Sequence, residues 1–171
     1  MSERLRFVMA QLNLLVGDVR ANTDAIIAAA QEARDAMGAQ VVCFPELALT
    51  GYPPDDLLLR PDFIAAVERG VERIAEQTQG ITVIVGAPVL DKGALLNAAL
   101  VIGEGGVQAR YAKQQLPTYG VFDDLRYFAP GTQPCVVAVE GCHIGITVCE
   151  DAWHEAPVKR AKAAGADLIV N

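Results

Sequence analysis

The chain reads as an α/β protein in which sheets carry helices on their outer faces. Three features predict this. Short apolar runs alternate with Ala-rich helical periods in the first half. A hairpin pattern occupies the middle, and a β-α-β unit closes the chain.

Taken in order, residues 5–12 are expected as a strand that the chain enters almost at once. A helix over 22–37 follows, with Ile26, Ile27, Ala30 and Ala33 on one stripe and Gly38 as its stop. Residues 41–44 form a wholly apolar strand. The stretch 47–60 holds Gly51, Pro53 and Pro54 and reads as a loop. Pro61 suits the first turn of a second helix, with Phe63, Val67, Val71 and Ile74 inward and Gly80 beyond its end. A buried strand is predicted over 81–85. Strands over 95–102 and 107–112 pair as a hairpin around Gly103-Glu104-Gly105-Gly106. A polar run with Pro and Gly spans 114–134. Strands over 136–139 and 144–148, a helix over 158–164 and a strand over 168–170 complete the chain.

Composition narrows the classes. With 52% hydrophobic and 20% charged residues, 171 residues suffice for one domain with a real core. No apolar run approaches the roughly 20 residues that span a bilayer, and the N-terminus lacks a signal-peptide apolar segment. A net charge of −7 without a basic cluster disfavours nucleic acid and acidic membrane as partners. The four cysteines read as reduced thiols, which places the protein in the cytoplasm. The last residues, Ile169-Val170-Asn171, lie within or beside a strand, so the expectation is a truncated domain.

Three strands finish on chemically potent residues: Glu46 after 41–44, Lys113 after 107–112, and Cys149 after 144–148. Along a strand neighbouring side chains point to opposite faces. Lys113 shares parity with Ala109 and Tyr111, and Glu46 with Val42 and Phe44. Cys149 shares it with Gly145 and Thr147, opposite Ile144, Ile146 and Val148. An acid and an ammonium on an apolar side are costly unless they meet each other or a substrate. The expectation is one pocket holding all three; taken alone, Glu46 or Lys113 reads more readily as a solvated strand end, and Cys149 has a competing reading as a small hydrophobe. Glu150 and Asp151 would raise the pKa of the Cys149 thiol, and Lys113 is the local cation that could hold it as thiolate. Cys43, Cys135 and Cys142 read as small hydrophobes. His143 and His154 are not expected to be catalytic. Cys142, His143 and Cys149 lack the paired spacing of zinc sites, so no metal is expected. The glycine run at 103–106 opens no helix, and no phosphate-binding loop is present.

On these three positions the chain resembles the nitrilase superfamily and, within it, the amidase half of glutamine-dependent NAD synthetases. The narrower resemblance rests on Gly51-Tyr52-Pro53-Pro54-Asp55-Asp56-Leu57, Leu116-Pro117-Thr118-Tyr119-Gly120-Val121-Phe122-Asp123-Asp124 and Cys149-Glu150-Asp151-Ala152-Trp153. It implies an α-β-β-α sandwich, incomplete at the C-terminus, over residues 1–171, with an ATP-dependent synthetase domain downstream. It further implies hydrolysis of the L-glutamine side-chain amide, with Cys149 as nucleophile, Glu46 as general base and Lys113 as oxyanion stabiliser. The Glu150 N–H and Tyr119 would contact substrate, and Asp124 and Trp153 would stand behind the triad. Relatives commonly carry Glu where this chain has Asp124, which leaves open whether the shorter arm reaches Lys113. The ammonia would pass on for amidation of deamido-NAD, with ATP and Mg belonging to the synthetase domain and a homo-oligomer as the assembly. The rival readings are a stand-alone nitrilase-type amidase or carbamoylase and a catalytically silent α/β interaction module.

Overall fold

In the computed structural model, which describes residues 4–171, the apolar runs pair into two sheets. The first has the order β1 (Phe7–Met9), β2 (Val41–Cys43), β3 (Thr82–Asp91), β4 (Ala94–Gly103), β5 (Gly106–Ala112). Its first three strands are parallel, joined by crossover helices α1 (Val19–Asp35) and α2 (Pro61–Gln77); the last two return antiparallel. The short helix α3 (Asp124–Tyr127) leads toward the second sheet, β6 (Cys135–Val139), β7 (Cys142–Ile146) and β8 (Leu168–Val170). There β7 is antiparallel to β6 and parallel to β8, with helix α4 (Glu155–Ala163) as the crossover.

Side-chain alternation turns these pairings into layers. One face of the first sheet, with Val42, Val83, Val85, Leu100 and Ile102, is buried under Ile26, Ile27 and Ala30 of α1 and Val67 and Ile74 of α2. Its other face carries Val41, Ile84, Ala99, Val101 and Tyr111 against Cys135, Ile144 and Ile146 of the second sheet. Helix α4 covers the outer face of that sheet. It does so closely: a Cβ on Gly145 would stand 3.1 Å from Ala161 Cβ of that helix. The result is the expected α-β-β-α order.

Several boundaries move, each for a local reason. The strand expected over 5–12 shrinks to Phe7–Met9, since β2 offers it only the partners Val41 to Cys43. Helix α1 starts at Val19, not 22, because the Asp18 carboxylate accepts a hydrogen bond from the Ala21 N–H at 3.0 Å. The loop at 47–60 contains a 3-10 helix, Asp55–Leu59, and the polar stretch 114–134 contains α3. The strand expected to stop at 85 runs to Asp91 through Pro88. Ile84 O accepts from Phe44 N and Gly86 O from Leu49 N, so even-numbered positions of β3 aim their polar groups away from β4. The N–H that Pro88 lacks would have pointed to that side, beyond the last β2 pair at Ile84. Helix α4 begins at Glu155, three residues early, with Pro157 in its first turn, where an N–H has no helical partner.

Candidate active site

Each potent residue lies one or more positions past its strand, where the backbone turns across the end of the sheets. Glu46 lies in the turn Phe44-Pro45-Glu46-Leu47, which rests on β3. The fit is possible only because Gly86 is bare: a Cβ there would come within 2.3 Å of Leu47 N and 2.6 Å of Pro45 O. Lys113 follows β5 directly. Its N–H donates to Asn97 O at 2.8 Å, and its carbonyl accepts from Gly131 N at 2.8 Å. Gly131 is a second close approach, since a Cβ there would meet Ala112 O at 2.2 Å. Cys149 opens a 3-10 turn, Cys149–Trp153, with φ +47°, a backbone shape costly to a residue with a Cβ.

The Lys113 side chain is wholly buried and bridges two carboxylates, with Nζ 2.7 Å from Glu46 Oε1 and 2.6 Å from Asp124 Oδ2. The shorter Asp124 arm therefore reaches the ammonium. Burial alone would lower the Lys113 pKa, yet the charges and hydrogen bonds of Glu46 and Asp124 outweigh it, and the net shift is upward. Burial raises the Asp124 pKa against the pull of Lys113. At Cys149, burial and then the Glu46 charge push the thiol up to about 11, and Lys113 only partly offsets them. Glu46 and Cys149 line the same cavity. The thiol is thus neutral at rest beside a carboxylate that can take its proton.

Two points of the sequence reading need correction. Strand parity placed Cys149 away from Ile144, Ile146 and Val148, but it packs with that cluster, because the left-handed turn ends the alternation. The thiol is raised as expected but not by Glu150 and Asp151, and Lys113 does not hold it as thiolate. The Glu150 carboxylate accepts from Tyr119 OH at 2.7 Å and lies 3.3 Å from His154 Nε2. Asp151, fully buried, accepts from Tyr111 OH at 2.8 Å, from the N–H groups of Gln115 at 2.8 Å and Gln114 at 3.1 Å, and from Val148 N at 3.2 Å. It ties the two sides of Lys113 to the Cys149 turn.

Around these groups, Tyr119 packs edge-on to Phe122 at 5.6 Å, with Tyr52 6.4 Å from Phe122. The Tyr52 phenol is raised by burial and by Asp124 and Glu46, which puts this ring beside the charges. Trp153, expected behind the triad, is instead 84% exposed. His143 is exposed and paired to Asp167 at 3.0 Å. A cavity of about 230 Å³ opens beside Glu46 and Cys149, walled by Ala98, Thr147 and Asn171 among others. The sequence reading passed over Asn97, took Asp151 only as a neighbour that raises the thiol, and left Tyr52 inside a motif without a role; a polar residue inside the apolar run 95–102 was the available signal for the first. Among the described residues no group of three His, Cys, Asp or Glu could hold a metal ion, and no helix is long and apolar enough to cross a membrane.

Comparison with known proteins adds the following. The carbon-nitrogen hydrolase family model matches residues 8–171. The glutamine-dependent NAD(+) synthetase of Xanthomonas campestris pv. campestris is 47% identical over 168 residues, covering 97% of this chain and 30% of its own length. That of Aquifex aeolicus is 41% identical, covering 98% and 30%. The chain therefore spans less than a third of these relatives. Among solved structures, glutamine-dependent NAD+ synthetase from Acinetobacter baumannii in complex with ADP superposes with a TM-score of 0.92 at 32% identity, over 96% of this chain and 31% of that one. An amidase mutant from Nesterenkonia sp. AN1, carrying acrylamide added at its active-site cysteine, gives a TM-score of 0.84 at 29% identity over 97% and 65%.

Proposed function

This chain belongs to the carbon-nitrogen hydrolase family, and from that premise we propose that it is the glutaminase part of a glutamine-dependent NAD(+) synthetase. The observation that carries the proposal is the neutral Cys149 thiol beside Glu46, with Lys113 buried between two acids. Glu46 takes the thiol proton as the sulfur attacks the side-chain amide carbon of L-glutamine. Negative charge then develops on the amide oxygen. Lys113 Nζ and the Glu150 N–H are the donors for it, each worth about 3 kcal/mol by the usual cost of removing one. Glu46 returns its proton to the leaving nitrogen, ammonia departs, and a glutamyl thioester remains. Water, deprotonated by Glu46, attacks the thioester, and glutamate leaves as the thiol is restored. Asp124 keeps Lys113 protonated throughout, and Tyr119 with Glu150 is suited to hold the polar end of glutamine.

In this reading the ammonia serves ATP-dependent amidation of deamido-NAD. ATP and Mg²⁺ then belong to the longer portion of the relatives, and no step described here passes through them. The free cysteines support a cytoplasmic protein, and we assign it no nucleic-acid or membrane partner and a homo-oligomeric assembly. The test is Cys149→Ala in the intact protein. Glutamine-driven NAD formation should fall to background while ammonia-driven formation persists. Equal loss with both nitrogen sources would give Cys149 another role. The amidase likeness supports a second reading, a stand-alone amidase, for which neither nitrogen source would yield NAD.

A further inference from the structure

Asn97 sits in the middle of β4, 1% exposed, between Leu95, Leu96, Ala98 and Ala99. An aliphatic residue would suit that strand better, because Asn97 Oδ1 is buried and meets no donor among the described residues. The amide must therefore be explained by its other end. Asn97 Nδ2 donates to Glu46 Oε1 at 2.7 Å, and the same oxygen accepts from Lys113 Nζ at 2.7 Å. A carboxylate oxygen can only accept, so the amide cannot be turned round to satisfy Oδ1. Two donors fill both lone pairs of Oε1, and the oxygen left to face the thiol is Oε2.

Resting on the reading of Glu46 as general base, we propose that Asn97 is its positioning residue. With Lys113 it fixes one carboxylate oxygen and presents the other to Cys149. Lys113 alone cannot do this, because its Nζ is shared with Asp124 and a single contact leaves the carboxylate free to swing about that bond. The titratable groups facing Glu46 are Lys113 at the end of β5, Asp124 at the start of α3, Cys149 in its turn and Tyr52 in the loop before α2.

The test uses Asn97→Leu in the intact protein, with iodoacetamide as the probe of Cys149. Without the amide the free oxygen of Glu46 is no longer aimed at the thiol, so alkylation of Cys149 at a fixed pH should slow on the order of tenfold. The kcat for glutamine should fall on the order of tenfold with KM within about twofold, since the base is misaimed and not absent. A melting temperature at or above that of the parent would show that the strand did not need the amide. Equal alkylation rates for parent and variant would overturn the proposal. Asn97→Ser gives the same readout if the leucine variant fails to fold. The alkylation arm needs no glutamine: if the parent does not hydrolyse glutamine yet Asn97→Leu slows its alkylation, the glutaminase reading fails and this one stands.

Discussion

The chemistry of single residues turns on a half-buried thiol and a buried ammonium that charge in opposite senses. Cys149 is pushed up to about 11 by burial and by Glu46, so its thiolate fraction should still be rising where an ordinary thiol has levelled off. Alkylation of Cys149 followed against pH should climb past pH 9 toward 11, and a plateau near pH 8 would contradict the neutral resting thiol. Lys113 is the opposite case, an ammonium kept charged by two acids at 2.7 and 2.6 Å. Lys113→Met would leave two carboxylates buried together without their cation, and breaking such a pair costs about 3–5 kcal/mol. Denaturant unfolding should show that loss beside the loss of turnover. Loss of turnover with unchanged stability would mean that the two acids relax apart easily. The Lys113 and Glu46 positions were legible in the sequence because each stands past an apolar run with the right parity. Asn97 was not, because nothing in a strand's alternation reveals which polar residue will meet a glutamate 51 positions away.

Elements place these residues through two glycines, neither needed for a turn. The Glu46 turn lies on Gly86 of β3, and the backbone after Lys113 lies against Gly131. Gly86→Ala would force a Cβ to within 2.3 Å of Leu47 N, so the turn must lift. Displacing a general base by about 1 Å can cost 10²-fold in rate, and overpacking about 1–3 kcal/mol. Glutaminase assays and melting curves should show both effects, and a variant with parental turnover would mean that the turn is not held where it matters. Helix and strand existence was readable from periodicity, and the stop at Gly38 and the start at Pro61 from their chemistry. What escaped was set by distant partners. The extension of β3 through Pro88 depends on β2 having ended, and the shortness of β1 on how little of β2 faces it. Cys149 is the sharpest case: parity fails there because φ is +47°, a turn that no apolar pattern encodes.

For the whole molecule, β1 and β8 are edges with no further strand among the described residues, and Met9 is 85% exposed on the first of them. Between them lies an open groove of about 600 Å³ lined by Leu5, Phe7, Met9, Leu168, Ile169 and Val170. Unpaired edges beside apolar surface recruit other chains. The 171 residues made alone should therefore associate, and sedimentation checks this; a monodisperse monomer with a cooperative melt would show that the groove closes on itself. The four-layer order has a different outcome for control. Glu46 and Lys113 are carried by one sheet and Cys149 by the other, with Asp151 as the brace across the seam. Sliding one sheet over the other by a fraction of an ångström would break no backbone ladder, yet it would detune the distance from ammonium to thiol.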